Sequence, residues 1–244
     1  MRKIKIIKLI AITALAAIII TLSALTLTSC AKETYNPLFL TESCEFKVKD
    51  VNTSNEIFLD KLYRHDSIEI YFGSDIKDAK TIDFLIENSI NAYRLLKNNS
   101  LLKTEFTVII SDDCVSNYRA DETLGLCVYL PPKTCYEEIL SWFLVSQNTE
   151  SDLPFGVYAG ISALLTNSPL CENISLSVID KNSFYSDLQF PLYETDNLSD
   201  NERKIAFGFA KRLIEDLLLD NRTYADIFSM SKNELNLFLS KNYN

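Results

Sequence analysis

The chain has 244 residues but only one histidine, His65, and that scarcity excludes more chemistry than any other feature of its composition. A site needing two imidazoles cannot be built from a single chain. Glycine is scarce as well: five residues, at positions 73, 125, 156, 160 and 208, are too few and too scattered for a glycine-rich phosphate loop. No two of the six cysteines have Cys-x-x-Cys spacing, which removes the redox motif and the zinc ribbon. No Gly-x-Ser-x-Gly elbow exists, and a serine or thiol nucleophile would have to draw on His65, a residue expected on the surface between elements. Basic residues are in deficit, 24 against 33 acidic. Four of the 24 (Arg2, Lys3, Lys5, Lys8) lie in the first 30 residues, which carry no acid, so the remaining 214 residues hold a net charge of −13. That balance excludes a general nucleic-acid binder, which must displace counterions from phosphates, and disfavours electrostatic docking on anionic lipid. What is present is 47% apolar and 11% aromatic content, enough for a folded domain of ordinary size.

Residues 1–30 read as an export signal. A positive stretch, Arg2 to Lys8, precedes an apolar run from Leu9 to Leu27, and the segment closes on Leu27-Thr28-Ser29-Cys30. Such a run could also stay in place as a membrane anchor. The small residues at its end and the Cys directly behind them favour processing. This pattern resembles a bacterial lipobox. The resemblance implies that Cys30 is diacylated through sulfur and becomes the new N-terminus, holding the protein to the membrane on its extracytoplasmic face. Two or three acyl chains hold firmly where one holds only marginally. Residues 31–41 are read as a short tether and 42–244 as a single domain. With Cys30 assigned to lipid, Cys44, Cys114, Cys127, Cys135 and Cys171 remain, an odd number that allows at most two disulfides and leaves the pairing open.

Along the mature chain, alternation and β-branched content predict strands at 44–49, 67–73, 105–110 and 126–130. Ser74 is read as the cap of a long helix over 75–98, whose Ile82, Leu85, Ile86, Ile90, Tyr93 and Leu96 fall on one stripe. Ser111 to Thr123 is expected to be a polar loop. Thr134-x-x-Glu137, Ser199-x-x-Glu202 and Ser231-x-x-Glu234 have the capping-box form and open helices running to about Ser146, Leu219 and Lys241. Further helices are expected over 154–165 and 224–228, with a short strand at 174–179. Strands gather in the first half and helices in the second. The expected fold class is therefore α+β, a small N-terminal sheet with a long helix followed by a helical C-terminal half.

This order of elements, together with the helix pair at 134–166, resembles the gluzincin metallopeptidases and most closely the compact peptidase-MA-like group. In that family a strand leads into a helix bearing His-Glu-x-x-His, and a second helix opens with Pro-x-Trp-Leu-x-Glu-Gly-Leu-Ala. Here the strand is Gly125-Leu-Cys-Val-Tyr-Leu130, the first helix reads Glu137-Glu138-Ile139-Leu140-Ser141, and the second opens Pro154-Phe155-Gly156-Val157-Tyr158-Ala159-Gly160. Gly208 to Glu215 is similar to the family's later helix, so the resemblance spans about residues 67–220.

The departures decide what the resemblance implies. The two imidazole positions, four apart on one helical face, hold Glu137 and Ser141, and the third ligand position holds Ala159. Only Glu138, at the general-base position, keeps its chemistry, and a base without a metal-activated water has little to act on. Gly156 replaces the Trp, and no Tyr lies between Tyr193 and Tyr224 to steady an oxyanion. The resemblance thus implies a pseudopeptidase with no metal and no cofactor. An ordinary helix pair, in which Gly156 and Gly160 let the two helices approach closely, is the alternative. Neighbouring Glu137 and Glu138 point about 100° apart on a helix and do not chelate one ion, and Glu137 is read as a capping-box residue. Ser111-Asp112-Asp113 and Asp121-Glu122 lack the pattern of a calcium loop. Trp142 is expected in the core.

The expected function is binding or scaffolding at the cell envelope by a lipid-anchored, catalytically inactive domain. Its partners are the membrane, through lipid on Cys30, and a peptide or protein ligand held in a cleft bordered by Glu138, Ser141 and Tyr158. A divergent hydrolase with a non-standard site and a structural lipoprotein without a ligand are the alternatives.

Overall fold

A computed structural model describes residues 44–52, 57–168 and 200–243. The expected signal segment, Cys30, the tether, Cys171 and the strand at 174–179 lie outside the described residues. The chain is mixed α and β. The strands are β1 (Cys44–Asn52), β2 (Phe58–His65), β3 (Ile68–Gly73), β4 (Thr107–Ile110), β5 (Asn117–Asp121) and β6 (Gly125–Leu130). The helices are α1 (Ala79–Asn98), α2 (Tyr136–Ser146), α3 (Phe155–Leu165), α4 (Asp200–Leu219), α5 (Tyr224–Ser229) and α6 (Lys232–Tyr243). None of the described helices is long and apolar enough to cross a membrane.

The strands form one sheet in the order β1-β2-β3-β4-β6-β5. β3, β4 and β6 run parallel at its centre, and the pairs β1–β2, β2–β3 and β5–β6 are antiparallel. The central strands are nearly continuous runs of buried Ile, Val, Phe, Tyr and Leu, as expected of strands covered on both faces. α1 is the crossover between parallel β3 and β4. The predicted stripe is its buried face, extended by Ser89 and Ala92. The helix starts later than Ser74, because Asp78 caps it: the Asp78 carboxylate accepts from the Thr81 amide at 2.9 Å. Ser74 instead donates its amide to the Phe58 carbonyl at 3.1 Å, continuing the pairing of β3 with β2 one residue past Gly73.

Two strands depart from the sequence expectation. β2 has poor alternation, since a bulge between Leu59 and Lys61 breaks the two-residue period. It returns to β3 through a two-residue hairpin loop whose first residue, Asp66, takes φ 49°, as such loops require. β5 occupies the expected loop. Its Asn-Tyr-Arg-Ala-Asp sequence looks unlike a strand because it is a polar edge, with Asn117 to Arg119 half-buried, Ala120 exposed and Asp121 buried, held by pairing to β6. The β2–β3 hairpin also overturns the expectation that His65 lies on the surface: it ends β2 and is 4% exposed. Its Nε2 is 3.3 Å from Nη2 of Arg94 on α1.

Candidate functional site

α2 follows β6 through Pro131-Pro132, and its start differs from the predicted box. The cap is Cys135, whose amide donates to Glu138 Oε2 at 3.2 Å, while the Thr134 hydroxyl turns back to the Pro131 carbonyl at 2.6 Å. Glu138, not Glu137, is therefore the acidic residue reaching back over the first turn. A carboxylate there satisfies an otherwise orphaned amide and meets the positive end of the helix.

That shift releases Glu137 for a different task. Glu137 is 8% exposed, Ser141 and Ser162 are fully buried, and Ser168 is 2% exposed. The Glu137 carbonyl accepts two hydroxyls, from Ser141 one turn along α2 at 2.7 Å and from Ser162 on α3 at 2.6 Å. The Glu137 carboxylate Oε1 accepts the hydroxyl of Ser168, just past the end of α3. At the positions matched to the two imidazoles, the chain thus has a compact buried network joining α2 to α3. Each such bond contributes about 1 kcal/mol. Sequence reasoning does not single out Ser162 and Ser168. The available signal is Ser162 itself, a small hydroxyl in the otherwise apolar run Phe155–Leu165.

Ala159, matched to the third ligand, is also fully buried, but it packs with Ala163 and Phe207, the latter on α4. Gly160 faces α4 too. A Cβ placed there would lie 2.3 Å from the Ala210 carbonyl oxygen and 2.8 Å from Ile214 Cγ1, both on α4. Close approach at Gly160 therefore serves the α3–α4 contact, not the α2–α3 pair expected from sequence.

The three residues expected to border a cleft are all buried: Glu138 at 4%, Ser141 at 0% and Tyr158 at 3% exposed. Tyr158 stacks on Phe228 of α5, with ring centroids 5.9 Å apart and planes 21° from parallel. Burial pushes its phenol above the ordinary value, and a hydrogen bond with Ser151 works the other way. Trp142 is half-buried and packs against Phe155 at the start of α3, 5.4 Å between centroids.

An open cavity of about 530 Å³ lies at the far end of the helix pair, between the α2–α3 loop and the α5–α6 corner. Gln147 and Asn148 form part of its floor and Glu150 and Asp152 line it; Lys103, Phe228 and Met230 come from other elements.

The acidic turn at Ser111-Asp112-Asp113 has an internal explanation. Asp75 accepts the Ser111 hydroxyl at 3.2 Å and the Asp112 amide, tying the ends of β3 and β4 together. Among the described residues no group of three or more His, Cys, Asp or Glu is placed to hold a metal ion. Cys114 and Cys127 are buried free thiols. Burial pushes both up to about 12, so neither is a ready thiolate. No family model, curated protein or solved structure matches the chain.

Proposed function

We propose that the protein is a lipid-anchored, extracytoplasmic binding or scaffolding protein, with a gluzincin-like helix pair that is structural and not catalytic. The observation that carries the second half is the use made of Glu137. Its carbonyl and carboxylate are both engaged by buried serine hydroxyls from α2, α3 and the turn after α3. A residue so engaged holds two helices in register. Water, which a hydrolase must admit and activate, has little access to positions 0–8% exposed. Glu138, the one matched residue with general-base chemistry, caps the helix from the same turn.

Support for the anchored half comes from the sequence: the positive start, the apolar run and Cys30 behind small residues. The acidic balance of the remaining chain agrees with attachment through lipid and not through charge.

Two measurements on the full chain test this reading. Metal analysis of the detergent-purified protein should find no stoichiometric zinc, and casein or a mixed peptide library should survive incubation with it uncut. One zinc per chain, or cleavage that a chelator abolishes, would overturn the non-catalytic role. Separately, Cys30→Ala should abolish incorporation of labelled fatty acid and either block processing or release the protein from membranes. Unchanged membrane attachment without any labelled wild-type protein would point to an uncleaved anchor.

A further inference from the structure

The cavity between the α2–α3 loop and the α5–α6 corner shares no residue with the Glu137 network, so a ligand bound there is independent of the role of the helix pair. Its volume, about 530 Å³, falls in the range of small-molecule sites. Gln147 and Asn148, both buried, are already satisfied. Gln147 Oε1 accepts the amides of Lys103 and Thr104 at 2.7 and 2.8 Å, and its amide nitrogen donates to Ser146. Asn148 donates to the Leu144 carbonyl at 2.8 Å. The Ser231 and Ser229 hydroxyls are engaged in their own helices, with Glu234 and the Asp226 carbonyl.

The charged groups on the rim are different. Lys103 Nζ is held by one bond, to Asn148 Oδ1 at 2.6 Å, and lies 5.8 Å from the Phe228 ring centre. An ammonium has three donors, so it retains capacity for an incoming acceptor. Glu150 and Asp152 line the same cavity and are exposed. Among the described residues neither carboxylate comes within ion-pair distance of Lys103. The cavity thus holds an exposed lysine beyond ion-pair reach of two exposed carboxylates, beside Gln147 and Asn148 side chains that are already engaged. That separation is complementary to a ligand carrying both charges. A simple anion would meet two repelling carboxylates, and a simple cation would meet the lysine.

We propose that this cavity binds a small zwitterion of the α-amino acid type, its carboxylate on Lys103 and its ammonium towards Glu150 and Asp152.

The test uses the full chain in detergent and calorimetric or saturation-transfer measurement against the common free α-amino acids. At least one should bind, and its N-acetyl and its carboxamide derivatives should each bind at least tenfold more weakly. Lys103→Met and Asp152→Asn should each weaken the parent ligand about tenfold, with unchanged thermal unfolding showing that the fold is kept. The comparison of derivatives needs only the wild-type protein, so it decides the matter even where a variant misfolds. If no free amino acid binds, if a blocked derivative binds as well as its parent, or if acetate or ethylamine alone matches the zwitterion, the proposal is wrong. Failure here leaves the zinc and cleavage results untouched.

Discussion

The hydroxyl of Ser162 on α3 donates to the backbone carbonyl of Glu137 on α2 at 2.6 Å, and that carbonyl also accepts the hydroxyl of Ser141. A carbonyl inside a helix normally serves only the amide four residues on. Here it takes two side-chain donors as well, one of them from another helix. The register of α2 against α3 is therefore set by a polar contact as well as by packing.

Ser162 and Ser168 should be unequal. Ser162→Ala removes one donor from a carbonyl that keeps another and should cost about 1 kcal/mol. Ser168→Ala takes a donor from the Glu137 carboxylate, itself only 8% exposed, and should cost more, about 1–3 kcal/mol. Denaturant unfolding of the two variants checks the order. Equal, near-zero effects would mean that the network does not hold the pair.

Gly160→Ala should destabilise the domain by about 1–3 kcal/mol. The added methyl would meet the Ala210 backbone oxygen at 2.3 Å, and backbone cannot swing aside as the end of a side chain can. Thermal unfolding reads the loss. A smaller residue at Ile214 should recover only part of the loss, because the contact with the Ala210 carbonyl is with main chain. A neutral Gly160→Ala would place α4 elsewhere.

Cys114 and Cys127 should resist alkylation in the folded protein near neutral pH and react once it is unfolded. Burial raises both thiols to about 12, leaving almost no thiolate, and Cys114 is 7% and Cys127 0% exposed. Cys135, half-buried, should react faster than either. Mass mapping after a timed pulse of reagent distinguishes the sites, and fast labelling of Cys127 in the native state would contradict its burial.

Stability should fall on acidification through the caps. Asp78, Asp226 and Glu234 are all held below their ordinary values by hydrogen bonds, from Thr81, Thr223 and Ser231 respectively. A depressed carboxylate stabilises the fold above its unfolded value, and that contribution is lost as pH drops through the folded one. The window therefore opens below the ordinary values of 3.8 for the two aspartates and 4.5 for Glu234. Unfolding midpoints measured between pH 6 and pH 3 should decline there, and Asp226→Asn should flatten the slope. A slope unchanged in that variant would remove Asp226 from the account.

Much of the architecture is legible in the sequence because local chemistry dictates it. The α1 stripe, the β-branched β4 and the Ser231–Glu234 box each carry their own signal, and the box forms as read: the Ser231 amide donates to Glu234 at 2.7 Å. β2 and β5 escape a local reading because pairing, not composition, makes them strands. The cap of α2 lies one residue beyond the predicted one. Thr134 is the better cap by type, but its hydroxyl donates to the Pro131 carbonyl, and Cys135 takes the position. His65 is buried against expectation for a related reason, since no local pattern announces that Arg94 of another element lies against it.

By itself the sequence determined what this protein cannot use: paired imidazoles, a phosphate loop, a basic surface. Composition suffices for that, because a missing side chain is missing in every conformation. It also determined most helices and the central strands, whose signals lie within a few residues of one another. Only the tertiary structure decided what became of Glu137, Ser141 and Ala159. Side chains that a metal site would gather around one point were sent to different neighbours by packing across helices. Glu137 and Ser141 met Ser162, while Ala159 and Gly160 met α4. The cavity beside Lys103 is likewise a product of assembly. Its lining comes from around residue 103, from 147–152 and from 228–231, and no span of local sequence holds the three together.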